Sequence, residues 1–355
     1  FPFFKNLNNS SITFKSAEEI KSNDLNDIDV FFLCLPPFKS MQFVKDNFYN
    51  LRGSIIDIGS DFRIKNPEEY KKWYGADHLL KDMLKKFVYG LTEINSTKIK
   101  KSKYVANPGC YPTSVLLCLA PLSSFLKKEN TSDNFTIENN NMNDFSLQKC
   151  KLMFEEKMNL KIIINDISID SKSGVSGAGR KLKDEYLFCS INENFFAYSP
   201  TMHRHIGEIE QEIENLCGDK IYISFTPHLL PVSRGIFTSV YCKLKVLNKS
   251  NKKLCGCYEN IQSYYDKEKI KEIISNLFLW YYRNSIFVKF IGEKIPQIKD
   301  VVNTNFCHIG FAYDERTYTL KLFSVIDNLL KGASGQAVQN MNLMFGFDEG
   351  EGLYG

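Results

Sequence analysis

No apolar run in this chain approaches the length of a bilayer span, so a helix-spanning membrane protein is excluded. A charge imbalance is also missing. The 45 Lys and Arg stand against 41 Asp and Glu, and the net +4 is spread along the chain. Nothing there calls for nucleic acid or an anionic membrane surface as a partner. The ten cysteines form no framework, and the only close pair, Cys255 and Cys257, has no second pair at metal-finger spacing. Reduced thiols and a reducing compartment are therefore expected. The chain opens Phe1-Pro2-Phe3-Phe4-Lys5, with neither a starting Met nor a signal peptide, so a processed or incomplete N-terminus is expected. Histidine is scarce too, at five residues, and two of those five share one tripeptide.

The composition itself is ordinary: 355 residues, 43% hydrophobic and 24% charged, long enough for two domains. The first hundred residues alternate short apolar strands with helices. Asp29 to Leu35 reads as a buried strand stopped by Pro36 and Pro37, Met41 to Leu51 as a helix, and Ser54 to Gly59 as the next strand. Pro67 to Tyr74 reads as a short helix, and Tyr104 to Ala106 as a strand. Such alternation predicts a parallel sheet. Ligands of open α/β sheets bind beyond the carboxyl ends of strands, which makes Asp61 and Arg63 candidates, or simply a loop ion pair. The polar, Asn-rich stretches 128–159 and 248–260 read as surface insertions. Later strands are expected at Lys161–Ile164, Ile167–Asp170, Ile221–Phe225, Ile236–Leu244, Phe306–Ala312 and Tyr318–Val325, with Ser171–Arg180 and Thr226–Gly235 as loops. A helix with small residues on entry is expected from Gly332 to Phe345.

The chemistry concentrates at Asn107-Pro108-Gly109-Cys110-Tyr111-Pro112-Thr113. Pro112 suits the first turn of a helix, where its missing N–H costs nothing. That places Cys110 at a helix N-terminus, where free N–H groups and the dipole stabilise a thiolate, the nucleophilic form of cysteine. A thiol nucleophile needs an acid/base partner, and His203 or His205, flanking Arg204 at a helix start before Glu208, supplies one. The sequence does not choose between the two imidazoles. A zinc site on His203, His205 and Glu208 is the weaker alternative, since no further ligand set is evident. The turn Ser173-Gly174-Val175-Ser176-Gly177-Ala178-Gly179-Arg180 offers free backbone N–H groups and a fixed positive charge, but no P-loop ending. Arg234, just before a strand, suits a carboxylate or phosphate, or an ordinary ion pair.

These motifs, with Ile56-Asp57-Ile58-Gly59-Ser60-Asp61-Phe62-Arg63, Phe225-Thr226-Pro227-His228-Leu229 and Gly335-Gln336-Ala337-Val338-Gln339-Asn340-Met341-Asn342, resemble the N-acetyl-gamma-glutamyl-phosphate reductase family, relatives of aspartate-semialdehyde dehydrogenase. The resemblance covers nearly the whole chain outside the two insertions. It implies an α/β fold: an incomplete Rossmann-like NADP-binding domain over 1–109, an α+β catalytic domain with a mixed sheet over 110–328, and a returning C-terminal helix over 329–355. It implies NADP(H) as cofactor and reduction of N-acetyl-glutamyl 5-phosphate through a Cys110 thioester. Asn107, Arg204, Glu208 and Arg234 would then face the substrate. Ser176, Gly177, Gly179 and Asn340 would face the cofactor. No metal is implied, and a homodimer or homotetramer is expected, in the cytoplasm or alternatively a plastid or mitochondrial matrix. The family's opening strand and Gly-rich turn have no counterpart before residue 29, and Pro37-Phe38 stands where the family usually shows His-Gly. Three rival readings follow: a cysteine hydrolase, a non-catalytic remnant that cannot bind NADP, and a reductase of aspartyl phosphate.

Overall fold

Four short strands of Val, Ile, Phe and Tyr build the first layer. They are β1 (Val30–Leu33), β2 (Ser54–Asp57), β3 (Val88–Tyr89) and β4 (Tyr104–Ala106), paired in the order β1-β2-β4-β3, all parallel. The computed structural model of the chain describes residues 22–126, 160–179, 183–248 and 267–354. The insertion 128–159, nearly all of 248–260, a helix-like piece expected from Ser16 to Lys21, and Arg180 lie outside the described residues.

A parallel sheet needs cover on both faces. One face of this one is packed by Phe31, Leu33, Ile55 and Ala106 against Met41, Val44, Phe62, Leu84 and Phe87. Met41 and Val44 come from helix α1 (Lys39–Asn47). On the other face, Ile56 and Val105 meet Ile99 of α3 (Thr92–Ile99) and two residues from the far end of the chain, Ala337 and Leu343. Between them α2 (Pro67–Tyr74) starts on Asn66, whose side chain accepts the N–H groups of Glu68 and Glu69. It ends on Gly75 in the left-handed region.

The chain leaves β4 through residues 107–109 and enters α4 (Cys110–Leu119), whose residues from Tyr111 to Leu119 are all buried. A helix apolar on every side has to be a core element. Here it lies against the second sheet and α5 (His205–Cys217), with α6 (Lys267–Tyr281) contributing Ile273, Leu277 and Phe278 to the same core. The second sheet is mixed, in the order β6-β7-β5-β8-β11-β10-β9. Its long central strands are β5 (Leu160–Gly174), β8 (Ile236–Asn248), β11 (Thr319–Ile326) and β10 (Cys307–Asp314). β7 (Ser224–Leu230) runs parallel to β5, and short strands β6 (Phe196–Ala197) and β9 (Val288–Phe290) form the edges. The chain is thus α/β, a Rossmann-like parallel layer followed by a mixed sheet, as its motifs imply.

Two expected loops are corrected. Ser171 to Gly174 continues β5, and a single 3-10 turn, Val175–Ala178, follows it. Thr226 to Leu230 continues β7. Pro227 reads as a strand breaker, but its carbonyl still takes the Tyr198 N–H, and β5 supplies partners for the residues around it. The returning helix is also shorter than expected. Leu330–Ser334 is a π-helical turn, and α7 proper is Gly335–Phe345.

Candidate active site

Gly109 holds the last extended position before α4, at φ −69° and ψ 154°, and its carbonyl accepts the Thr113 N–H and hydroxyl at 2.9 and 3.0 Å. Cys110 is therefore the first residue of the helix. Burial pushes its thiol up, against the charge of Arg63 and the backbone N–H of Tyr111, which pull down. Burial wins. This corrects the expectation that the helix start alone keeps the sulfur anionic: the resting group is a neutral thiol, and a base must remove its proton.

Two imidazoles stand against its neighbours Gly109 and Tyr111. His205 opens α5 and is buried. A Cβ added to Gly109 would lie 2.5 Å from its Nε2, so the imidazole edge rests on the residue preceding the nucleophile. The absence of a side chain at Gly109 is what permits that approach. The His205 backbone N–H donates to Nδ1 of His203 at 3.3 Å, and the two rings stand 4.7 Å apart. Tyr111 meets both rings edge-on, at 5.7 and 5.9 Å. Burial, with Arg204 adding to it, lowers His203 to about 4. Burial and the charges of His203, Arg204 and Arg63 hold His205 well below its usual range. Both rings are thus neutral near pH 7, and the acceptor nitrogen of His203 is already engaged by the His205 N–H.

One turn into α5, Glu208 is fully buried and spends both oxygens within the protein. Its Oε1 accepts the Gly109 N–H and the Tyr89 hydroxyl, each at 2.8 Å, and its Oε2 meets Arg63 Nη1 at 3.4 Å. Arg63 in turn donates from Nε to the Asn107 carbonyl at 2.8 Å and from Nη2 to the Ile58 carbonyl at 2.9 Å. The alternative of an Asp61–Arg63 loop pair is set aside. Asp61 instead accepts the N–H groups of Phe38 and Met41 and the Tyr70 hydroxyl, holding the start of α1. Neither Tyr89 nor its link to Glu208 had any sequence signal, since it joins residues 119 apart.

Asn107 and Asn340 are buried together. Asn340 Nδ2 donates to the Gly90 carbonyl and to Asn107 Oδ1, and Asn107 Nδ2 donates to the Ala333 carbonyl. Asn340 Oδ1 is left buried with no partner in the protein, a free acceptor of the kind a carboxamide N–H satisfies. The Ser-Gly turn comes in from β5. Ser173 reaches the Tyr111 hydroxyl, and Gly177 packs over Ser173 Oγ. Ser176 Oγ accepts from Asn328 Nδ2 at 2.9 Å, while nothing stands within 4 Å of a Cβ at Gly179. Backbone bonds from Val175 to Val232 and from Ser176 to Ser233 dock the turn beside Arg234. Arg234 Nη1 donates to Asn303 at 3.0 Å and lies 3.6 Å from Asp327, with 39% of its side chain exposed. Arg204 is exposed at the start of α5. Cys110, both histidines, Glu208, Asn107, Asn340 and the Ser-Gly turn thus form one connected cluster, with Arg234 at its rim. Among the described residues no three or more His, Cys, Asp or Glu side chains are arranged to hold a metal, and no helix is long and apolar enough to cross a membrane.

Comparison with known proteins agrees with this layout. The semialdehyde dehydrogenase NAD binding domain model matches residues 4–102, and the semialdehyde dehydrogenase dimerisation domain model matches residues 157–276 and 256–328. Aspartate semialdehyde dehydrogenase II from Vibrio cholerae shares the fold at a TM-score of 0.56 and 15% identity, covering 93% of this chain and 83% of that one. A probable aspartate-semialdehyde dehydrogenase from Pseudomonas aeruginosa does so at 0.55 and 14%, covering 95% and 84%. Fold and domain order define the class: a semialdehyde dehydrogenase, an oxidoreductase with a nicotinamide-binding domain followed by a dimerisation domain. At the level of sequence, N-acetyl-gamma-glutamyl-phosphate reductase of Clostridium novyi is 40% identical over 95% of this chain and 81% of its own length. That of Caldicellulosiruptor bescii is 39% identical over 99% and 84%. The chain belongs to the N-acetyl-gamma-glutamyl-phosphate reductase family and carries a semialdehyde dehydrogenase NAD binding domain.

Proposed function

We propose that the chain reduces N-acetyl-glutamyl 5-phosphate to N-acetyl-glutamate 5-semialdehyde and phosphate, with Cys110 as nucleophile and His205 as its acid/base partner. The observation that carries this is the seating of His205 Nε2 against Gly109, one residue from the sulfur. His203 is the second imidazole, and its Nδ1 is engaged by the His205 N–H.

The residues perform the reaction in balance. His205, neutral at rest, takes the thiol proton as sulfur attacks the acyl carbon. The carbon–oxygen bond to phosphate breaks, and the departing phosphate takes the proton from His205. Cys110 is left as a thioester. N–H groups of the first turn of α4 stabilise the oxyanion on each tetrahedral species. NADPH, when bound, supplies the hydride that reduces the acyl carbon. Collapse then breaks the carbon–sulfur bond, and a solvent proton restores the thiol. Arg204 and Arg234 are the cations we assign to the substrate's carboxylate and phosphate. Glu208 acts through position, since its oxygens hold Gly109, Tyr89 and Arg63. Asn107 acts the same way through Asn340 and Ala333.

The cofactor fits the residues present. The parallel layer opens its carboxyl ends toward the cluster, the Asn340 Oδ1 acceptor is unfilled, and the Ser176-Gly177-Gly179 turn leaves room at Gly179. We assign the nicotinamide amide to Asn340 and its surroundings to that turn. We propose a division into 1–109, 110–328 and 329–355, which the two separate sheets and the helix Gly335–Phe345 support. We propose a homodimer or homotetramer working in the cytoplasm, or in an organelle matrix if the source is eukaryotic. The test is NADPH oxidation with the acyl phosphate, run beside aspartyl phosphate, and NADP⁺ reduction with the semialdehyde that requires phosphate. No turnover in either direction would overturn the reading.

A further inference from the structure

Lys331 is a lysine with no access to solvent, and no step above uses it. Its Nζ lies 2.6 Å from Glu93 Oε1, and the two side chains are 0% and 2% exposed. It also donates to Gln339 Oε1 at 2.8 Å and stands 5.8 Å from the Phe287 ring. Glu93 is held in turn: Thr92 Oγ1 donates to its Oε2 at 3.0 Å, and Gln339 Nε2 reaches its Oε1 at 3.4 Å. Burial works to raise the Glu93 carboxyl, but the Lys331 charge and hydrogen bond more than offset it, and the group ends below its ordinary range. The Glu93 carboxyl is therefore held as the carboxylate against Lys331.

A buried ion pair adds little net stability over apolar residues of similar size, so its placement asks for another reason. Glu93 lies in the first turn of α3, which packs against the parallel sheet, whereas Lys331 lies in the π-helical turn Leu330–Ser334. The residue after Lys331 is Gly332. A Cβ there would fall 2.8 Å from the Cys110 Cβ, so this stretch of backbone is in contact with the nucleophile. The next residue, Ala333, gives its carbonyl to Asn107 Nδ2. The other end of the turn is pinned separately. Asp327, fully buried, accepts the N–H groups of Leu329 and Leu330, and its carbonyl takes the Gly332 N–H. π-Helical turns are uncommon and concentrate at functional sites.

We propose that the Lys331–Glu93 pair is a positioning device: it fixes the height of the Gly332-Ala333 backbone over Cys110 and locks the nucleophile to the cofactor-binding layer. The pair touches neither substrate nor cofactor. Its effect passes through Gly332 and Ala333 to Cys110 and Asn107. The proposal rests on Cys110 as nucleophile, so Cys110→Ser is assayed in parallel; if that variant turns over, the failure lies with the nucleophile and not with the pair.

The test compares three variants of the full chain. Lys331→Met leaves a buried carboxylate alone and is expected to lose both stability and activity. Lys331→Met/Glu93→Leu replaces the pair by apolar groups and is expected to regain thermal stability while kcat stays about 100-fold down, with KM for the acyl phosphate held. Glu93→Asp keeps the charge but withdraws the carboxylate by one methylene. It is expected to fold, to lose kcat rather than KM, and to shift the pH profile of Cys110 alkylation by iodoacetamide. A folded double variant or Glu93→Asp enzyme with wild-type kcat and an unchanged alkylation profile would overturn the proposal. If the double variant fails to fold, Glu93→Asp alone decides it.

Discussion

Glu208 accepts the backbone N–H of Gly109 at 2.8 Å across 99 residues of sequence, which ties the first turn of α5 to the residue before the nucleophile. Two helix N-termini, one carrying Cys110 and the other His205, are thereby held at a fixed separation. Arg63 and Tyr89 close the arrangement from the parallel layer.

Removing that carboxylate strands a buried guanidinium and a buried N–H. Glu208→Ala is expected to destabilise the fold by about 3–5 kcal/mol, as loss of one partner of a buried pair does. Glu208→Gln keeps an acceptor for Gly109 and Tyr89 and should fold better, while still losing kcat because Arg63 is no longer matched. Thermal melts beside steady-state kinetics check both.

Gly109→Ala separates folding from catalysis. Its φ of −69° suits alanine, so the backbone is not strained. The new methyl, however, would lie 2.5 Å from His205 Nε2 and 2.9 Å from Arg63 Nη1. The imidazole has to move, and a displacement near 1 Å costs about 100-fold in rate. Near-normal melting with a collapsed kcat is the expected result.

Asp57 sets a pH dependence of stability. It is fully buried, its Oδ2 has no hydrogen-bond partner, and burial pushes its carboxyl up to about 6. Asp61 adds to the rise; the Ser40 hydroxyl, Arg63 and the Gly59 N–H oppose it. Between an unfolded pKa near 3.9 and this higher folded value, the native state binds more protons than the unfolded state. Its contribution to stability is therefore full below about pH 4 and is lost as pH rises through about 6. Asp57→Asn removes the penalty. The variant should gain over the parent as pH rises from 4 to 7, by on the order of 2–3 kcal/mol. Denaturant unfolding at several pH values reads the difference.

Legibility followed how local each signal was. Pro67 to Tyr74 is α2 as expected, and Asn66 and Gly75 bracket it within a few residues. Cys110 was found the same way, from Gly109 and Pro112. By contrast α3 carries no apolar stripe: its buried residues are Thr92, Asn95 and Ile99, and Asn95 is non-helical. It therefore left no periodic signal. Glu208 was picked out by its nearness to His205, but its partners Gly109, Tyr89 and Arg63 arrive from other elements, so its positioning role emerged only in the fold. The neutral state of Cys110 was missed for a related reason. A helix N-terminus is visible in sequence, whereas the burial that outweighs it is not. Lys331 and Glu93 lie 238 residues apart, so no local signal joins them.

The most direct measurement mixes the enzyme with N-acetyl-glutamyl 5-phosphate in the absence of NADPH and follows phosphate and protein mass together. A burst of phosphate matching the enzyme, with the acyl group recovered on the Cys110 peptide and discharged as aldehyde when NADPH is added, is the predicted result. Turnover with NADPH but no acyl group on Cys110, or an acyl group on another residue, would contradict it.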